Sequence, residues 1–421
     1  MFKFIHAADL HLDAPLRGLQ PYGAIPADAI RAASRLALEN LVELAKEEEV
    51  ALVVIAGDLW DSDWKDHNSG LYFAGQMGKL RGAGVQVVIV TGNHDAGSQI
   101  TKALRLPENV RLLSGKHPEV VRFDAFDAAV VGQSFAAKSV SANLAAGFPR
   151  AEPALFTIGL LHTSLDGREN HDPYAPCTVA ELQGKGYAYW ALGHAHLREV
   201  VCEAPWIVFS GTIQGRHARE PGPKGCTLVT VENREVQSVT HHDIDVVRWS
   251  DCRVDLSRAE NGERVLDSVR EALERELREA DGRLLAVRIR LAGATKAHRE
   301  LSGRPERWRH EVRSLGADIS PAGLWVEKIF FETKPAEERS LSVEQDDAIA
   351  ELLGSVEGIE ASPHVLEQYG THFQDLKTKL PNDLYDPATE PAPWEPERLR
   401  STFERAKHIL ATRLLGAGRA R

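Results

Sequence analysis

Five short clusters of Asp, Asn and His residues each follow directly after an apolar run of the sequence. These clusters are Asp9-Leu10-His11, Gly57-Asp58, Gly92-Asn93-His94-Asp95, His162 and Gly193-His194-Ala195-His196. In open α/β sheets, ligands bind at the carboxyl ends of the strands. We therefore expect all five clusters to meet at one edge. Each cluster alone is more often a turn or a satisfied polar pair, but five of them in one chain favour a common site.

The clusters contain enough oxygen and nitrogen donors for two divalent ions. The candidate metal ligands are Asp9, His11, Asp58, Asn93, His162, His194 and His196. They include no thiolate, which favours manganese, iron or zinc over copper(I) or an iron–sulfur cluster. A carboxylate can bridge two cations, and Asp58 is the natural candidate. Two ions about 3.5 to 4 Å apart would lower the pKa of a shared water and clamp a phosphoryl group, which predicts hydrolysis by in-line displacement.

His94 and Asp95, the last two residues of the third cluster, are predicted to be catalytic. His94 is one histidine more than the ions require. We therefore assign it to steadying the phosphate and protonating the leaving oxygen. Asp95 would hold His94 in orientation.

Several residues near the clusters have both a functional and a structural interpretation. Arg216 and His217 could contact a substrate phosphate, or they could simply be exposed to solvent. Trp60 and Trp64 could stack a base, or they could pack under their loop. His171 could orient the loop of the second ion. Solvent exposure is the preferred interpretation for Lys65, His67 and Arg219.

Short β-type apolar runs alternate with helix-period segments over the first 160 residues, which is the pattern of a layered α/β domain. Strands are predicted at 2–8, 51–56, 85–91, 128–132, 155–161, 187–192, 206–209, 226–231 and 236–241. A helix that packs on the sheet is predicted from the apolar residues Ile30, Ala33, Ala37, Leu41 and Leu44, which recur at spacings of three and four. The whole is expected to be a mixed α/β sandwich.

A second, smaller unit is predicted over residues 251–335. An amphipathic helix that carries Val265, Val269 and Leu273 precedes strands at 284–291 and 324–331, which is typical of a small α+β domain. Residues 336–421 begin acidic, pass a Pro-rich stretch and end in a basic helix from Leu399 to Leu414. That helix could be a docking arm, or it could pack back on its own domain.

The composition does not identify the substrate, so this inference depends on the candidate site. The net charge of −11 argues weakly against a broad basic surface for nucleic acid. However, residues 339–390, away from the clusters, hold eleven Asp or Glu and only three Lys or Arg. Much of the negative charge therefore lies outside the candidate site.

Neither a signal peptide nor a membrane span is predicted from the sequence. Its longest apolar runs are far below the roughly 18 residues that a span requires. We therefore expect a soluble, cytoplasmic protein. The four cysteines, Cys177, Cys202, Cys226 and Cys252, form no CxxC pair. They are expected to be buried free thiols.

The order of the clusters, D-x-H, GD, GNHD, H and GHxH, resembles that of the calcineurin-like metallophosphoesterases over residues 1–217. The stretches HAADLHLD, GDLWD and GNHD resemble the SbcD-type DNA repair exonucleases. HDPYAPC from His171 and QGRH from Gln214 resemble the YhaO-type subgroup. One position departs from the pattern: eukaryotic and archaeal relatives have histidine at the fifth position of GDLWD, where this chain has Asp61.

The resemblance implies a fold and a domain order. The fold is a metallophosphoesterase four-layer α/β sandwich, with mixed sheets flanked by helices. Residues 1–250 would form the nuclease domain, residues 251–335 a small α+β cap, and residues 336–421 an acidic linker and C-terminal helical arm. The arm would dock on an SbcC-type coiled-coil ATPase, and two nuclease domains could form a homodimer.

The resemblance also implies a ligand set. The first ion would be held by Asp9, His11, Asp58 and His196, and the second by Asp58, Asn93, His162 and His194. His94 would be the catalytic acid.

The leading hypothesis for function is manganese-dependent hydrolysis of DNA phosphodiesters by an exonuclease or endonuclease of DNA repair. A phosphatase or cyclic-nucleotide phosphodiesterase that acts on small substrates would use the same metals. A third hypothesis is a DNA-binding or scaffold subunit of an ATPase complex. Seven converging donors argue against this last interpretation, because a scaffold has no physical need for them.

Overall fold

The computed structural model of the chain describes residues 1–12, 27–60, 67–97, 105–165, 174–336, 351–352, 354–356, 358, 362–373, 379 and 394–417. Within these ranges the strands are β1 (Phe2–Ala7), β2 (Leu52–Ala56), β3 (Gln86–Val90), β4 (Val110–Leu112), β5 (Glu119–Phe123), β6 (Ala128–Gly132), β7 (Phe156–His162), β8 (Tyr189–Gly193), β9 (Glu199–Glu203), β10 (Trp206–Phe209), β11 (Gly225–Glu232), β12 (Glu235–Asp243), β13 (Val247–Asp255), β14 (Leu284–Thr295) and β15 (Leu324–Pro335). The α-helices are α1 (Ala27–Glu47), α2 (His67–Gly82), α3 (Val179–Gln183), α4 (Gly262–Glu279), α5 (His298–Gly303), α6 (Pro305–Ile319), α7 (Pro363–Thr371) and α8 (Pro396–Ala417).

Two six-stranded mixed sheets form the centre of the first part of the chain. The first sheet has the order β12-β11-β1-β2-β3-β4, and the second has the order β5-β6-β7-β8-β10-β9. Strands β1 to β4 are parallel to one another, as are β6, β7, β8 and β10. Parallel strands place their carboxyl ends at the same edge of a sheet, so each sheet presents one such edge for a site.

The strands in the middle of the first sheet are buried on both faces. In β2, Leu52 and Val54 pack in the cluster that lies between the two sheets. Val53 and Ile55 point the other way, into the cluster that holds the apolar residues of α1 and α2. A strand covered on both faces reads as a continuous apolar run, which explains why β2 was easy to predict.

Helix α1 covers the outer face of the first sheet. Ala37, Leu38, Leu41 and Val42 recur at spacings of three and four, and all are fully buried. Phe73, Met77 and Leu80 of α2 join the same cluster. On the outer face of the second sheet, Trp190 packs with Leu182 of α3. The layers are therefore helices, sheet, sheet, and a short helix with loops, which confirms the predicted α/β sandwich of mixed sheets flanked by helices.

The chain folds into two compact units. The first contains the described residues of 1–251, 275–288 and 320–327, and the second contains those of 252–274, 289–319 and 328–421. Strands β13, β14 and β15 form a three-stranded sheet in that order. In the second unit, α4 buries Val265 and Val269, and α6 buries Trp308 and Val312. Each helix thus has one apolar face.

The predicted strands and the three predicted helices are confirmed, with ends that differ by a few residues. The sequence did not predict β4, β5, β9 or β13. Strands β5 (EVVRF) and β9 (EVVCE) lie at sheet edges and carry charged residues at their ends, which weakens the apolar pattern. Among the cysteines, Cys202 on β9 is partly exposed, so the prediction that all four are buried is wrong for that residue. Within the described ranges, no helix has the length and apolar character that crossing a bilayer requires.

A buried histidine predicts how stability depends on pH. His6 of β1 is fully buried, with Nδ1 3.0 Å from the Tyr189 hydroxyl and Nε2 3.2 Å from the Leu192 carbonyl oxygen. Burial lowers the pKa of His6 to about 3. In the unfolded chain His6 has an ordinary pKa of about 6.5, so on acidification the unfolded chain binds a proton there at a higher pH than the folded chain does. The contribution of His6 to the free energy of unfolding should therefore be fully present above about pH 6.5. On acidification below that pH, the free energy of unfolding should fall by up to about 1.4 kcal/mol per pH unit.

We expect His6→Gln to flatten this acid loss, as measured by urea unfolding between pH 7.5 and pH 5. The exposed His117 supplies the matched control. His117→Gln should keep the wild-type pH profile. Parallel profiles for His6→Gln and the wild type would contradict the assignment.

Candidate metal centre

The structure brings the clusters from both sheets together through hydrogen bonds between their loops. The Asp9 amide donates to the Gly57 carbonyl and the His11 amide to the Asp58 carbonyl, each at 3.0 Å. The His194 amide follows β8 of the second sheet and donates to both carboxylate oxygens of Asp9, at 3.2 and 3.1 Å. The carboxyl ends of β1, β2 and β8 therefore meet at one place.

Four candidate ligands have left-handed backbone conformations. The φ angle is 52° at Asp9, 42° at His11, 52° at Asp58 and 103° at His194. Such conformations cost non-glycine residues about 1–3 kcal/mol each, and they persist only where the surrounding structure over-determines them. The hydrogen bonds between the loops supply that constraint, so the strain is part of how these side chains are aimed.

Glycine is required where two loops pass closest to the centre. Gly57 has a φ of 94°, and a Cβ at that position would lie 2.5 Å from His162 Nδ1. A Cβ on Gly92 would overlap the carboxylate oxygen Oδ1 of Asp58. A methyl group at either position would therefore displace a candidate ligand.

The ring orientation of His162 leaves its Nε2 as a metal-donor atom. Nδ1 lies 2.9 Å from the Ala56 carbonyl oxygen, which can only accept, so Nδ1 carries the proton. Nε2 then presents its lone pair to the Asn93 amide oxygen at 2.9 Å. A cation bound to both atoms would relieve their repulsion, since two ligands at right angles on an ion about 2.1 Å away lie about 3.0 Å apart. His162 and Asn93 therefore fit one divalent ion.

His11 and His196 form a second pair of facing donors. Their Nε2 atoms are 3.3 Å apart, and the rings are tilted by 71° with centroids 5.1 Å apart. Two imidazoles on one ion at about 2.1 Å would place their nitrogens at about this separation. The pair fits a second ion.

The Asp58 carboxylate lies between the two pairs. Its Oδ2 is 3.9 Å from His11 Nε2 and 3.6 Å from His162 Nε2, while Oδ1 accepts from the His94 amide at 3.0 Å. Oδ2 is thus directed to both pairs, as a bridging ligand requires. Asp9 also lies close to both pairs. Its carboxylate forms one group of donors with His11 and His196 and a second group with Asp58 and His162. The donor atoms within each group lie within 4.8 Å of one another.

Electrostatics favours cations at this place. Asp9, Asp58 and Asp95 are all fully buried. Burial raises the pKa of Asp9. Burial and the nearby Asp58 charge raise the pKa of Asp95 to about 7. At Asp58 burial opposes ionisation, but neighbouring histidines, with His162 the strongest, lower its pKa to about 2. Buried carboxylates this close are stabilised by paired charges or bound metal, so the donor set fits divalent ions.

The two predicted catalytic residues are built into the loop after β3. The His94 ring is partly exposed and packs edge-on against His11, with centroids 5.1 Å apart. Asp95 accepts from the Trp60 amide and the Gly92 amide, each at 3.0 Å. Its carboxylate therefore ties the loop after β3 to the loop after β2. A role for Asp95 in orienting the His94 ring stays a prediction.

His194 is packed by two aromatic neighbours. Its ring makes edge contacts with His162 and with Tyr174, at 5.3 Å between centroids in each case. Sequence reasoning did not single out Tyr174, although it lies in the HDPYAPC stretch. Tyr174 therefore bounds the side of the centre where His194 and His162 lie.

Arg216 lies against the centre and is not simply exposed to solvent. Its guanidinium is 3.1 Å from His196 Nδ1 and is bound to Glu220, which sequence reasoning missed. Glu220 is 8% exposed and lies four residues after Arg216, a spacing that gave only a weak clue. His217 and Arg219 are exposed. Contact of Arg216 and His217 with a substrate phosphate stays a prediction.

The base-stacking interpretation of Trp60 is wrong. Trp60 is fully buried and packs edge-on against Phe73, with centroids 5.6 Å apart. The alternative, packing under its loop, is the observed state. His67 begins α2, and its side chain is not described. Asp61, Trp64, Lys65 and His171 lie outside the described residues.

Residues 2–198 match the calcineurin-like phosphoesterase family, and residues 249–334 match the middle domain of the metallophosphoesterase YhaO. One similar protein is the uncharacterized metallophosphoesterase YhaO of Bacillus subtilis strain 168, with 36% identity over 262 residues. That alignment covers 61% of this chain and 64% of the relative, so the chain spans less than two thirds of the relative's length.

Two solved structures are also similar. One is the TT1561 protein of Thermus thermophilus, with 13% identity and a TM-score of 0.35 over 58% of this chain and 99% of that one. The other is a dimetal phosphatase from Danio rerio, with 12% identity and a TM-score of 0.35 over 57% of this chain and 99% of that one.

Gly92→Ala should reduce manganese affinity at least about tenfold, because the added methyl group displaces Asp58. Calorimetric titration of Mn²⁺ into protein stripped of metal measures this. The control is Gly75→Ala on α2, where an added Cβ meets nothing within 4 Å. The control should bind Mn²⁺ normally and gain about 0.5–1 kcal/mol of stability. Wild-type affinity in Gly92→Ala would contradict the close approach.

Proposed function

We propose that the protein, whose residues 2–198 match the calcineurin-like phosphoesterase family, is a two-metal, manganese-dependent hydrolase of DNA phosphodiesters. It would act as an exonuclease or endonuclease in DNA repair. Hydrolysis of a phosphate ester is the general part of this proposal, and the DNA substrate and manganese are its specific parts. The observation that carries it is the convergence of two facing donor pairs on a shared carboxylate, Asp58.

The ligand set divides between two ions. We propose that Asp9, His11, Asp58 and His196 hold the first ion, and that Asp58, Asn93, His162 and His194 hold the second. The bound ions would supply Lewis acidity toward the phosphoryl group and a water of lowered pKa for in-line attack. Oxygen and nitrogen ligands without sulfur suit manganese.

The side chains then have distinct tasks. The Ala56 carbonyl accepts from His162 Nδ1 and so fixes the tautomer that has a lone pair on Nε2. The Asp58 carboxylate anchors the His94 loop through the His94 amide. The His94 ring packs next to His11, and we propose that it donates a proton to the leaving oxygen. Asp95 keeps this loop in place by accepting from two backbone amides.

Three features support DNA as the substrate. The cluster sequences HAADLHLD, GDLWD and GNHD resemble those of SbcD-type DNA repair exonucleases. A second domain follows, and small-substrate relatives rarely need a cap. Arg216, next to His196, offers a cation with the planar donor geometry that suits a phosphate. We propose that Arg216 and His217 contact the DNA backbone.

The alternatives differ in substrate or in role. A phosphatase or cyclic-nucleotide phosphodiesterase would use the same ions and the same acid. As partners we propose an SbcC-type ATPase docked on residues 336–421, which include α8, and a second copy of the chain. A purely scaffolding role would leave the donor side chains without a task.

Removing the metal or His94 should abolish or sharply reduce hydrolysis of bis-p-nitrophenyl phosphate. With Mn²⁺ the wild type should turn over this diester, and EDTA should stop it. His94→Ala should lower kcat by about 100 to 10,000-fold, as expected for loss of a general acid. The exposed His117→Ala is the control and should keep the wild-type rate. Equal rates in His94→Ala and the control would remove His94 from the mechanism.

End-labelled linear DNA tests the substrate. We expect manganese-dependent shortening of the label, which His94→Ala reduces by the same order as it does for the small diester. Hydrolysis of the diester alone, with DNA intact even after addition of a coiled-coil ATPase partner, would favour the small-substrate alternative.

A further inference from the structure

Glu220 is a buried carboxylate that joins two side chains of the centre. It is 8% exposed, and its Oε1 lies 2.7 Å from His196 Nδ1 and 2.8 Å from the Arg216 guanidinium. Its Oε2 accepts from the Arg216 backbone amide at 2.8 Å. Ionised carboxylates only accept hydrogen bonds, so each of these partners must donate.

This requirement fixes the tautomer of His196. Without a proton on Nδ1, two lone pairs would face each other at 2.7 Å. Arg216 Nη2 also lies 3.1 Å from Nδ1, but the contact with the carboxylate is the shorter of the two and decides the tautomer. Nδ1 therefore carries the proton, and Nε2 has its lone pair on the side of His11 Nε2, 3.3 Å away. A carboxylate behind a metal-ligating histidine also raises the basicity of the ligand. Glu220 thus prepares Nε2 of His196 to bind a cation.

The same carboxylate holds Arg216. The guanidinium donates to Glu220 from Nη2 at 2.8 Å and from Nε at 3.3 Å. The Arg216 side chain is only 21% exposed, although it lies next to the centre. Charge-assisted pairs of this kind fix the direction of the guanidinium.

The loop that carries Glu220 is itself pinned. The Glu220 amide donates to the His217 carbonyl at 2.9 Å. In the residues just before Arg216, the Gly215 carbonyl accepts from the Trp249 indole at 2.9 Å, and Gln214 donates to the Val247 carbonyl at 2.6 Å. The position of the carboxylate is therefore set by the fold of this loop.

We propose that Glu220 is a positioning residue that sets the metal-binding tautomer of His196 and, with its other contacts, aims Arg216 at the phosphate of the substrate. The inference rests on the proposed two-metal function and goes further: one carboxylate, Glu220, contributes to both metal binding and substrate binding. A substitution of Arg216 should affect substrate binding only.

The first test measures metal binding without any turnover. Mn²⁺ is titrated by calorimetry into chelator-stripped, full-length protein. Glu220→Ala should lower affinity by about 10 to 100-fold, the usual effect of losing a partner behind a histidine ligand. Glu220→Gln should lose less, because its amide oxygen can still accept from His196 Nδ1. Arg216→Ala should bind Mn²⁺ as the wild type does.

A double-mutant cycle separates positioning from general damage. His196→Ala removes the ligand through which Glu220 acts. Adding Glu220→Ala to His196→Ala should therefore cause no further loss of Mn²⁺ affinity. Additive losses would mean that Glu220 acts elsewhere, and they would overturn the proposal.

Kinetics on bis-p-nitrophenyl phosphate test whether Glu220 positions Arg216 for substrate binding. At saturating Mn²⁺, Arg216→Ala should raise KM with little change in kcat, and Glu220→Gln should raise KM similarly. The latter follows because the NH₂ group of Gln would replace Oε2 and face the Arg216 backbone amide, and this contact between two donors would displace Arg216. The matched controls are Glu203→Gln and Arg219→Ala, both at exposed positions, which should change neither quantity. An unchanged KM in Glu220→Gln would overturn the proposal that Glu220 positions Arg216.

Thermal unfolding of each variant verifies the fold, and Glu220→Gln preserves side-chain volume if Glu220→Ala does not fold. The two failures are distinguishable. If Mn²⁺ binds and Glu220→Ala lowers its affinity but no ester is cleaved, the proposed function fails and the positioning role stands. If esters are cleaved and Mn²⁺ affinity is unchanged in both Glu220 variants, the positioning role fails alone.

Discussion

The buried Asp58 carboxylate is the group on which the rest of the centre depends. One of its oxygens accepts from the His94 amide and thereby holds the loop of the proposed acid. The other lies between His11 and His162, each of which belongs to a different donor pair. A carboxylate buried to this extent is costly unless positive charge surrounds it. Histidines from both sheets surround it, so the site can form only where the two sheets meet.

The fold supplies this meeting place at a cost in local conformation. Parallel strands in each sheet direct their following loops to one edge, and hydrogen bonds between the loops hold Asp9, His11 and Asp58 in left-handed conformations. Gly57 and Gly92 lie where any side chain would collide with His162 or Asp58. The packed, apolar core between the sheets makes the loops rigid enough to sustain this strain.

A second buried carboxylate, Glu220, extends the centre beyond the ligands. Asp58 contacts the candidate ligands directly, whereas Glu220 acts from behind His196 and beside Arg216. The match of residues 2–198 to the calcineurin-like phosphoesterase family and the candidate ligand set both support the proposed hydrolysis of a phosphate ester. In our proposal, the choice of ester depends on groups farther from the ions, such as Arg216. Substrate identity is therefore a separate physical question from catalysis.

The sequence by itself determined the strands β1, β2 and β3, helix α1 and the five polar clusters, because each of these is a local pattern: an apolar run, a spacing of three and four, or a polar group directly after a strand. It did not determine that β11 lies beside β1, that Trp60 is fully buried, or that Glu220 reaches His196. These features join residues far apart in the chain or depend on how a loop packs. Only tertiary structure decided them, because pairing and burial depend on which surfaces meet, and no local pattern encodes that.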